Sequence, residues 1–254
     1  MNLVEIIKFF ENKYPKDLAY EWDNVGIQVG TLNMPAKKIL VTLDVTKEVV
    51  KEAIDKKVNM ILSHHPLLFN PLDKIIFDTP RGWIIKNLIK HNITVYSAHT
   101  NYDLAEGGMN DEFARILGLK NPSLLDQVDE IGRYGDIEPM MLEDFVSFIK
   151  DKLNLDTVKV IGRTNKEITR VGVSGGSGSK HIHQAKLRGC DVYLTGDVTY
   201  HTALDAPGLG ITVIDIGHHA EKIFVDAVIR ELSSEFNDIE FVKSEINTNP
   251  YQDY

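Results

Sequence analysis

Two pairs of adjacent histidines, His64-His65 and His218-His219, are the residues of this sequence best suited to chemistry. Each pair follows an apolar run, at 58–62 and 211–214, that is typical of a buried strand. Imidazoles gathered at strand ends together with carboxylates are the usual ligands of divalent transition metals. The sequence therefore predicts a metal site. For either pair alone, the alternative is two hydrogen-bonded surface histidines.

Two carboxylates accompany the histidines. Glu221 lies three residues after His218 at the predicted start of a helix, where residues three apart share a face. Asp103 follows a third apolar run, at 93–96, and a carboxylate can bridge two ions. Taken singly, Glu221 would be an ordinary acid of a first helical turn, and Asp103 a capping residue in a turn.

These residues together make a candidate ligand set of His64, His65, Asp103, His218 and Glu221. A turn lets consecutive imidazoles diverge toward separate ions, which favours two metals over one. Five ligands leave coordination positions open, as in catalytic sites. Two divalent ions less two carboxylates leave a local charge of about +2, which favours activation of water and binding of an anionic group such as phosphate. Zinc, iron, manganese, nickel and cobalt all suit such ligands.

Three further polar residues follow predicted strands: His99, Asp197 and His201. His99 is either a ligand or a residue that orients one. Asp197 and His201 are candidates for proton transfer. The alternative for Asp197 is the N-cap of the following helix.

The glycine-rich turn at 174–179 lies between a predicted strand and a predicted helix, where backbone amides can bind an anion. We take Gly176, Ser177 and Gly178 as candidate substrate-binding residues. The turn matches neither the dinucleotide fingerprint nor the P-loop, since no Gly-Lys-Ser/Thr follows it. The alternative is a tight structural turn.

The elements that must position these residues alternate between strands and helices. Strands are predicted at 27–29, 38–45, 58–62, 93–97, 157–161, 168–173, 191–195, 211–215 and 239–242, and helices at 2–14, 81–90, 108–117, 141–152, 198–206 and 219–236, with others opened by Thr46 and ending near Gly189. This alternation predicts an α/β fold with two mixed-sheet α/β domains. The clusters all follow strands, and the carboxyl ends of strands gather functional loops in such folds.

A change to polar, proline-containing sequence near residue 120 predicts the domain boundary. We expect an N-terminal α/β domain at 1–125, carrying His64, His65 and Asp103, and a C-terminal α/β domain at 126–254, carrying His218 and Glu221. The last helix or strand could pack on the first domain.

Composition restricts the class of protein. The chain has 254 residues, a formal net charge of -9 and a single cysteine, Cys190. One cysteine permits no internal disulfide, and the sequence shows neither a signal peptide nor an apolar stretch that would span a membrane. We therefore expect a cytoplasmic protein. Its acidic balance disfavours nucleic acid and anionic membranes as partners, including a role as a DNA-associated regulator.

Four motifs occur in a characteristic order: Glu21-Trp22-Asp23-Asn24-Val25-Gly26, Ser63-His64-His65-Pro66, Ala98-His99-Thr100-Asn101-Tyr102-Asp103 and Gly217-His218-His219-Ala220-Glu221. In this order they resemble the GTP cyclohydrolase 1 type 2 homologue family, also called the Nif3-like dinuclear metal-centre proteins. The turn at 174–179 and the segments 196–201 and 244–250 are similar to that family too. The resemblance covers nearly the whole chain.

The resemblance implies two α/β domains per subunit and a ring-like homohexamer whose metal sites face an internal cavity. It implies two divalent metal ions per subunit, bound by His64, His65, Asp103, His218 and Glu221, with His99 nearby. In several relatives the glutamate follows the histidine by four residues, whereas here the spacing is three. The chain is too short for the domain that some relatives carry in mid-sequence.

The functional hypothesis is a dinuclear-metal hydrolase that acts on a nucleotide or another phosphorylated small molecule. Asp103 would bridge the ions and His99 would carry protons. The family name records one reaction, the opening of the GTP imidazole ring. The alternative is a non-enzymatic metal-binding hexameric assembly or scaffold.

Overall fold

The structure, a computed structural model, describes residues 1–162 and 165–252 and divides into two compact units. Unit 1 combines Met1–Ala105 with Phe224–Pro250, and unit 2 is built on Glu106–Ile223. Each unit has its own mixed sheet, accompanied by helices. The predicted fold class, with two mixed-sheet α/β parts, is therefore confirmed. Among the described residues, no helix has both the length and the apolarity needed to cross a bilayer.

The helices and strands have the following bounds. The helices are α1 Leu3–Lys13, α2 Lys47–Asp55, α3 Pro80–Lys90, α4 Thr100–Leu104, α5 Met109–Ile116, α6 Leu142–Leu153, α7 Ile182–Leu187, α8 Tyr200–Asp205 and α9 Ile223–Glu235. The strands are β1 Gly26–Val29, β2 Lys38–Thr42, β3 Met60–Ser63, β4 Thr94–Ser97, β5 Lys120–Asp126, β6 Ile131–Met140, β7 Lys159–Ile161, β8 Ile168–Val173, β9 Val192–Thr195, β10 Thr212–Asp215 and β11 Glu240–Lys243. Short 3₁₀ helices occupy Lys16–Leu18, Ser179–His181, Ala206–Leu209 and His218–Lys222.

The sheet of unit 1 has the order β1-β4-β3-β2-β11. Strands β11, β2, β3 and β4 are parallel, and β1 pairs antiparallel with β4. Every residue of β3 and β4 is buried, as expected for a parallel sheet covered on both faces. The register pairs Thr42 with Ser63 and Ser63 with Ser97, so the three central strands end level with one another. The residues that follow them therefore meet at one edge.

The sheet of unit 2 has the order β5-β6-β8-β9-β10-β7. Strands β8, β9 and β10 are parallel, while the outer strands pair antiparallel. The carboxyl ends of the parallel strands lead into the glycine turn after Val173, the Gly196-Asp197 segment after Thr195, and the Gly217-His218 segment after Asp215.

The structure divides the chain at a different place from the predicted boundary at residue 125. The polar segment near residue 120 is not a linker, because β5 and β6 form an antiparallel hairpin at one side of the unit 2 sheet. The last helix and strand belong mainly to unit 1, where β11 pairs with β2. The sequence analysis predicted no helix at 100–104, where the structure has the short helix α4, because a single turn shows too little periodicity to be recognised.

Glu52 of α2 fixes the segment that follows β11. Its carboxylate accepts hydrogen bonds from the Ser244 hydroxyl at 2.6 Å and from the Glu245 amide at 2.9 Å. The Lys56 ammonium lies 2.7 Å from the same carboxylate. Burial acts to raise the pKa of Glu52, but the Glu245 amide, Lys56 and Ser244 outweigh it and hold that pKa below its usual value. The carboxylate is thus ionised and fully engaged at neutral pH.

We predict that Glu52→Gln lowers the free energy of unfolding by about 1–2 kcal/mol at pH 7, because the replacement loses charge-assisted hydrogen bonds. Because the pKa is lower in the folded than in the unfolded state, this contribution disappears as the pH falls through the folded-state pKa. Urea unfolding at several pH values measures the effect. Glu48→Gln, an exposed change on the same helix, is the matched control. Equal losses in the two variants, or a Glu52→Gln loss independent of pH, would contradict the assignment.

Candidate metal-binding site

Three imidazoles of unit 1 form one cluster at the carboxyl edge of its sheet. His64 and His65 follow β3, and His99 follows β4. The ring centroid of His64 lies 5.0 Å from that of His65 and 5.2 Å from that of His99. His65 and His99 are 5.5 Å apart. One ring nitrogen of each lies within 4.8 Å of the others, which is close enough for a shared ion.

The Nδ1 atoms of His64 and His65 both face hydrogen-bond acceptors. His64 Nδ1 lies 2.8 Å from the Ala98 carbonyl oxygen, and His65 Nδ1 lies 2.7 Å from Asp44 Oδ1. Oxygens of these types only accept, so each Nδ1 carries the proton and each Nε2 presents a lone pair. A histidine oriented in this way by a carbonyl or a carboxylate is the usual form of a metal ligand.

His99 has the same arrangement, with its Nδ1 3.0 Å from Asp23 Oδ1. The Asp23 side chain is fully buried, and its second oxygen accepts from the Thr100 amide at 3.0 Å and the Thr100 hydroxyl at 2.6 Å. Burial acts to raise the pKa of Asp23, but hydrogen bonds from His99 and Thr100 and the charge of His99 lower it to about 2. Asp23 is therefore an ionised acceptor that fixes the orientation of His99.

Asp103 supplies a carboxylate beside His64. The turn of α4 holds it, with the Asp103 amide donating to the His99 carbonyl at 3.0 Å. Asp103 Oδ1 lies 3.5 Å from His64 Nε2, longer than an ordinary hydrogen bond. Two ligands about 2.1 Å from one ion at tetrahedral angles are roughly 3.4 Å apart, so these buried atoms have the spacing of a ligand pair.

The ligand pair of unit 2 lies on the 3₁₀ helix His218–Lys222. Residues three apart eclipse one another in such a helix, and His218 Nε2 lies 3.2 Å from Glu221 Oε2. His218 Nδ1 lies 2.6 Å from Asp197 Oδ2, so this histidine also presents Nε2 as its lone-pair nitrogen. Glu221 is almost completely buried. The two residues that the sequence analysis placed on one face are therefore adjacent.

Asp197 is a positioning residue for His218 in this arrangement. Its backbone is left-handed, with a φ of 53°, a conformation that is uncommon outside glycine and concentrates at functional sites. The N-cap of α8 is instead Thr199, whose hydroxyl accepts from the Thr202 amide at 3.3 Å. His201 is exposed on α8, with its ring 5.5 Å from that of Tyr200. A role for His201 in proton transfer stays a prediction.

The glycine turn of unit 2 lies directly against Glu221. A Cβ atom on Gly176, whose φ is +58°, would be 2.6 Å from Glu221 Oε1. The Gly178 amide donates to Thr195 Oγ1 at 2.9 Å, and Tyr193 donates to the Gly178 carbonyl at 2.8 Å. Glycine is thus required at 176 by a close approach to a carboxylate. Substrate binding by Gly176, Ser177 and Gly178 stays a prediction.

Sequence reasoning assigned no role to Asp23 and Asp44, although both orient histidines. Asp44 lies two residues after the end of β2, and the rule that strand ends carry functional residues could have found it. Its second oxygen accepts from the Thr248 hydroxyl at 2.6 Å, which ties the segment after β11 to His65. Asp23 lies within the Glu21–Gly26 motif, but nothing in its local sequence indicates a partner in position 99.

A second cluster in unit 2 consists of Asp126, Asp129 and His181. His181 Nδ1 lies 2.8 Å from Asp126 Oδ2, and both side chains are buried. The Lys180 ammonium lies 2.5 Å from Asp129 Oδ2 and already supplies a positive charge there. The cluster therefore has the character of an ion-pair network that joins the β5–β6 turn to the helix after the glycine turn.

The fold and these side chains define an α/β protein of two units, each carrying histidine and carboxylate groups that can bind divalent metal. A family model described as Duf34/NIF3 (NGG1p interacting factor 3) matches residues 1–250. The chain belongs to this family, and the resemblance seen in its sequence is confirmed.

Relatives match this chain over nearly the whole length of both proteins. The chain is 36% identical to the GTP cyclohydrolase 1 type 2 homolog of Streptococcus pneumoniae, with 97% of each chain covered. It is 33% identical to the protein of the same name from Bacillus subtilis, with 99% of this chain and 98% of the relative covered. Among solved structures, the Bacillus cereus protein related to NIF3 has a TM-score of 0.94 at 30% identity, covering 100% of this chain and 99% of that one. Reduced HcgD from Methanocaldococcus jannaschii has a TM-score of 0.85 at 32% identity, covering 97% and 98%.

We predict that Gly176→Ala destabilises the protein by about 1–3 kcal/mol more than Gly118→Ala does, because its methyl group forces the Glu221 carboxylate aside. Gly118 is the matched control, since it has a φ of +67° and no atom within 4 Å of its added Cβ. Gly118→Ala thus reports left-handed backbone strain alone, about 1–2 kcal/mol. Chemical denaturation of both variants measures the difference. Equal destabilisation would show that Glu221 does not constrain position 176.

Proposed function

We propose that this protein binds two divalent transition-metal ions through His64, His65, Asp103, His218 and Glu221, and that it hydrolyses a nucleotide or another phosphorylated small molecule. The observation that carries the proposal is the orientation of His64, His65 and His218. Each has its Nδ1 on an oxygen acceptor, so its Nε2 is the ligand atom. Membership of the family and the relatives' shared name support the choice of hydrolysis.

When bound, divalent ions of this kind supply Lewis acidity and lower the pKa of water. The residues of the chain then have distinct roles. His99 lies beside the other imidazoles, where it can exchange a proton with a reacting group, and the Asp23 carboxylate fixes its orientation. Asp44 and Asp197 keep His65 and His218 in the tautomer that binds metal.

The first experiment measures metal content per chain by elemental analysis after purification without chelators. We expect about two ions in the wild type and a loss of metal in His64→Ala and in Glu221→Ala, because each change removes a ligand. His183→Ala is the matched control, since His183 is exposed on α7. Metal retained in full by both ligand variants would refute the proposed ligand set.

The second step is a screen of nucleotides and phosphoesters with the identified metal. The hydrolase proposal predicts a metal-dependent rate that His64→Ala abolishes and His183→Ala leaves unchanged. A protein that contains metal but hydrolyses none of these compounds would favour the alternative function, a non-enzymatic metal-binding assembly.

We also propose that the protein assembles into a homohexamer, as the resemblance to its family implies. Light scattering on the metal-loaded protein should give six times the mass of one chain. A monomer at micromolar concentration would contradict the proposal.

A further inference from the structure

Unit 1 contains an apolar cleft of about 640 Å³ that no role described so far uses. Its walls come from β1 and the loop before it, the loop between β3 and α3, and one face of α3. Trp22 and Phe69 contribute aromatic rings, and Ile85 and Ile89 contribute aliphatic side chains. The residues that line it, all in the described part of the chain, carry no formal charge. A cleft of this volume and lining is typical of a small-molecule site.

The aromatic side of the cleft adjoins the histidine cluster. The ring of Trp22 lies 5.9 Å from that of Phe69 and 6.1 Å from that of His99, both in edge-to-face arrangements. Phe69 lies 6.3 Å from His99. Trp22 and Phe69 therefore contact the cleft on one side and an imidazole of the candidate metal-binding cluster on the other. A molecule bound in the cleft would have its far end beside the histidines.

Hydrogen bonds hold the walls of the cleft in place. Asn24 Nδ2 donates to the Leu68 carbonyl at 2.6 Å, and the Leu68 amide donates to Gln28 Oε1 at 3.0 Å. Gln28 Nε2 donates to the Asn24 carbonyl at 2.7 Å. The polar groups of Asn24 and Gln28 are thus used to join the two loops, and the contacts left for a ligand are aromatic and aliphatic.

The aromatic rings of Trp22 and Phe69 are exposed to solvent, although hydrogen bonds fix the loops that carry them. Trp22 is 59% exposed and Phe69 is 45% exposed, which is unusual for residues so large. The indole of Trp22 is supported by Tyr20, which stacks on it at 5.6 Å. An exposed, supported indole is a suitable surface for stacking by another planar ring.

We propose that this cleft binds the planar aromatic ring of a substrate whose phosphate is directed toward the histidine cluster. This inference deepens the proposed function, on which the position of the phosphate rests. An uncharged aromatic cleft suits a heterocycle but not a phosphate, and the histidine cluster suits the phosphate but not the ring. Together the cleft and the histidine cluster favour a molecule that carries both an aromatic ring and a phosphate, such as a nucleotide, over a sugar phosphate that lacks the ring.

The test uses adenosine, AMP and ribose 5-phosphate as probes of the metal-loaded protein. The chain has two tryptophans, so Trp83→Phe leaves Trp22 as the one indole. We expect saturable quenching of Trp22 fluorescence by adenosine and by AMP, and none by ribose 5-phosphate. Calorimetry should show that Trp22→Ala weakens AMP about tenfold to a hundredfold and leaves ribose 5-phosphate unchanged. Trp22→Phe, which keeps a ring, should recover part of the loss.

The controls separate this inference from the proposed function. Each variant should keep the wild-type metal content, since Trp22 is not a ligand. Adenosine is also tested on chelator-treated protein: quenching there supports the cleft even if the protein proves to bind no metal. Equal AMP affinity in the wild type and Trp22→Ala, with metal retained, would overturn the inference. A second pair of results would also overturn the inference: Trp22→Ala changes the oligomeric state, and adenosine does not quench the Trp83→Phe protein. The cleft would then be a contact between copies of the chain.

Discussion

The hydrogen bonds to histidine Nδ1 are the interactions on which the candidate metal-binding site depends. A neutral imidazole has one proton, and an acceptor at Nδ1 keeps it there, so that Nε2 is left to bind metal. His64, His65, His99 and His218 all have such an acceptor, three of them a carboxylate. The acceptors come from segments far apart in sequence, and only a correctly assembled sheet brings each to its histidine. The assembly of the sheets therefore decides which tautomer each of these histidines adopts.

The sequence was informative about where the candidate ligands lie because their positions follow a local rule. Parallel strands read as continuous apolar runs, and their carboxyl ends share an edge of the sheet, so residues just after each run are candidates. The pairing of His218 with Glu221 also follows from a spacing of three. The residues that orient the ligands obey no such rule. Asp23 is 76 positions from His99 and Asp44 is 21 positions from His65, separations that no periodicity reveals.

The β5–β6 hairpin was not predicted for a related reason. Edge strands carry polar residues and prolines that central strands exclude, so they resemble loops in sequence. Pro122 lies where the pairing of the edge strand β5 with β6 becomes irregular, and Pro139 lies where the pairing of β6 with β8 becomes irregular. The glycine turn was harder to interpret for a different reason. Its composition suggested an anion-binding loop, but the structure gives another reason for glycine at position 176. The absent side chain at Gly176 leaves room for the Glu221 carboxylate, and a sequence alone cannot distinguish room for a substrate from room for a neighbouring residue.

The discontinuity of unit 1 has a consequence for how the protein is made. A ribosome synthesises residues 1–105, then the Glu106–Ile223 part of unit 2, and only then the segment 224–250 that supplies β11 and Thr248. All six strands of the unit 2 sheet lie between residues 120 and 215, so that sheet is complete in sequence before the segment exists. Until β11 has been made, the strand β2 of unit 1 lacks its partner on one edge. Unpaired strand edges make incompletely folded domains prone to aggregate. His65 acquires its complete support, through Asp44 and Thr248, only at the end of synthesis. The order of translation thus delays completion of the histidine cluster of unit 1 until almost the whole chain has been made.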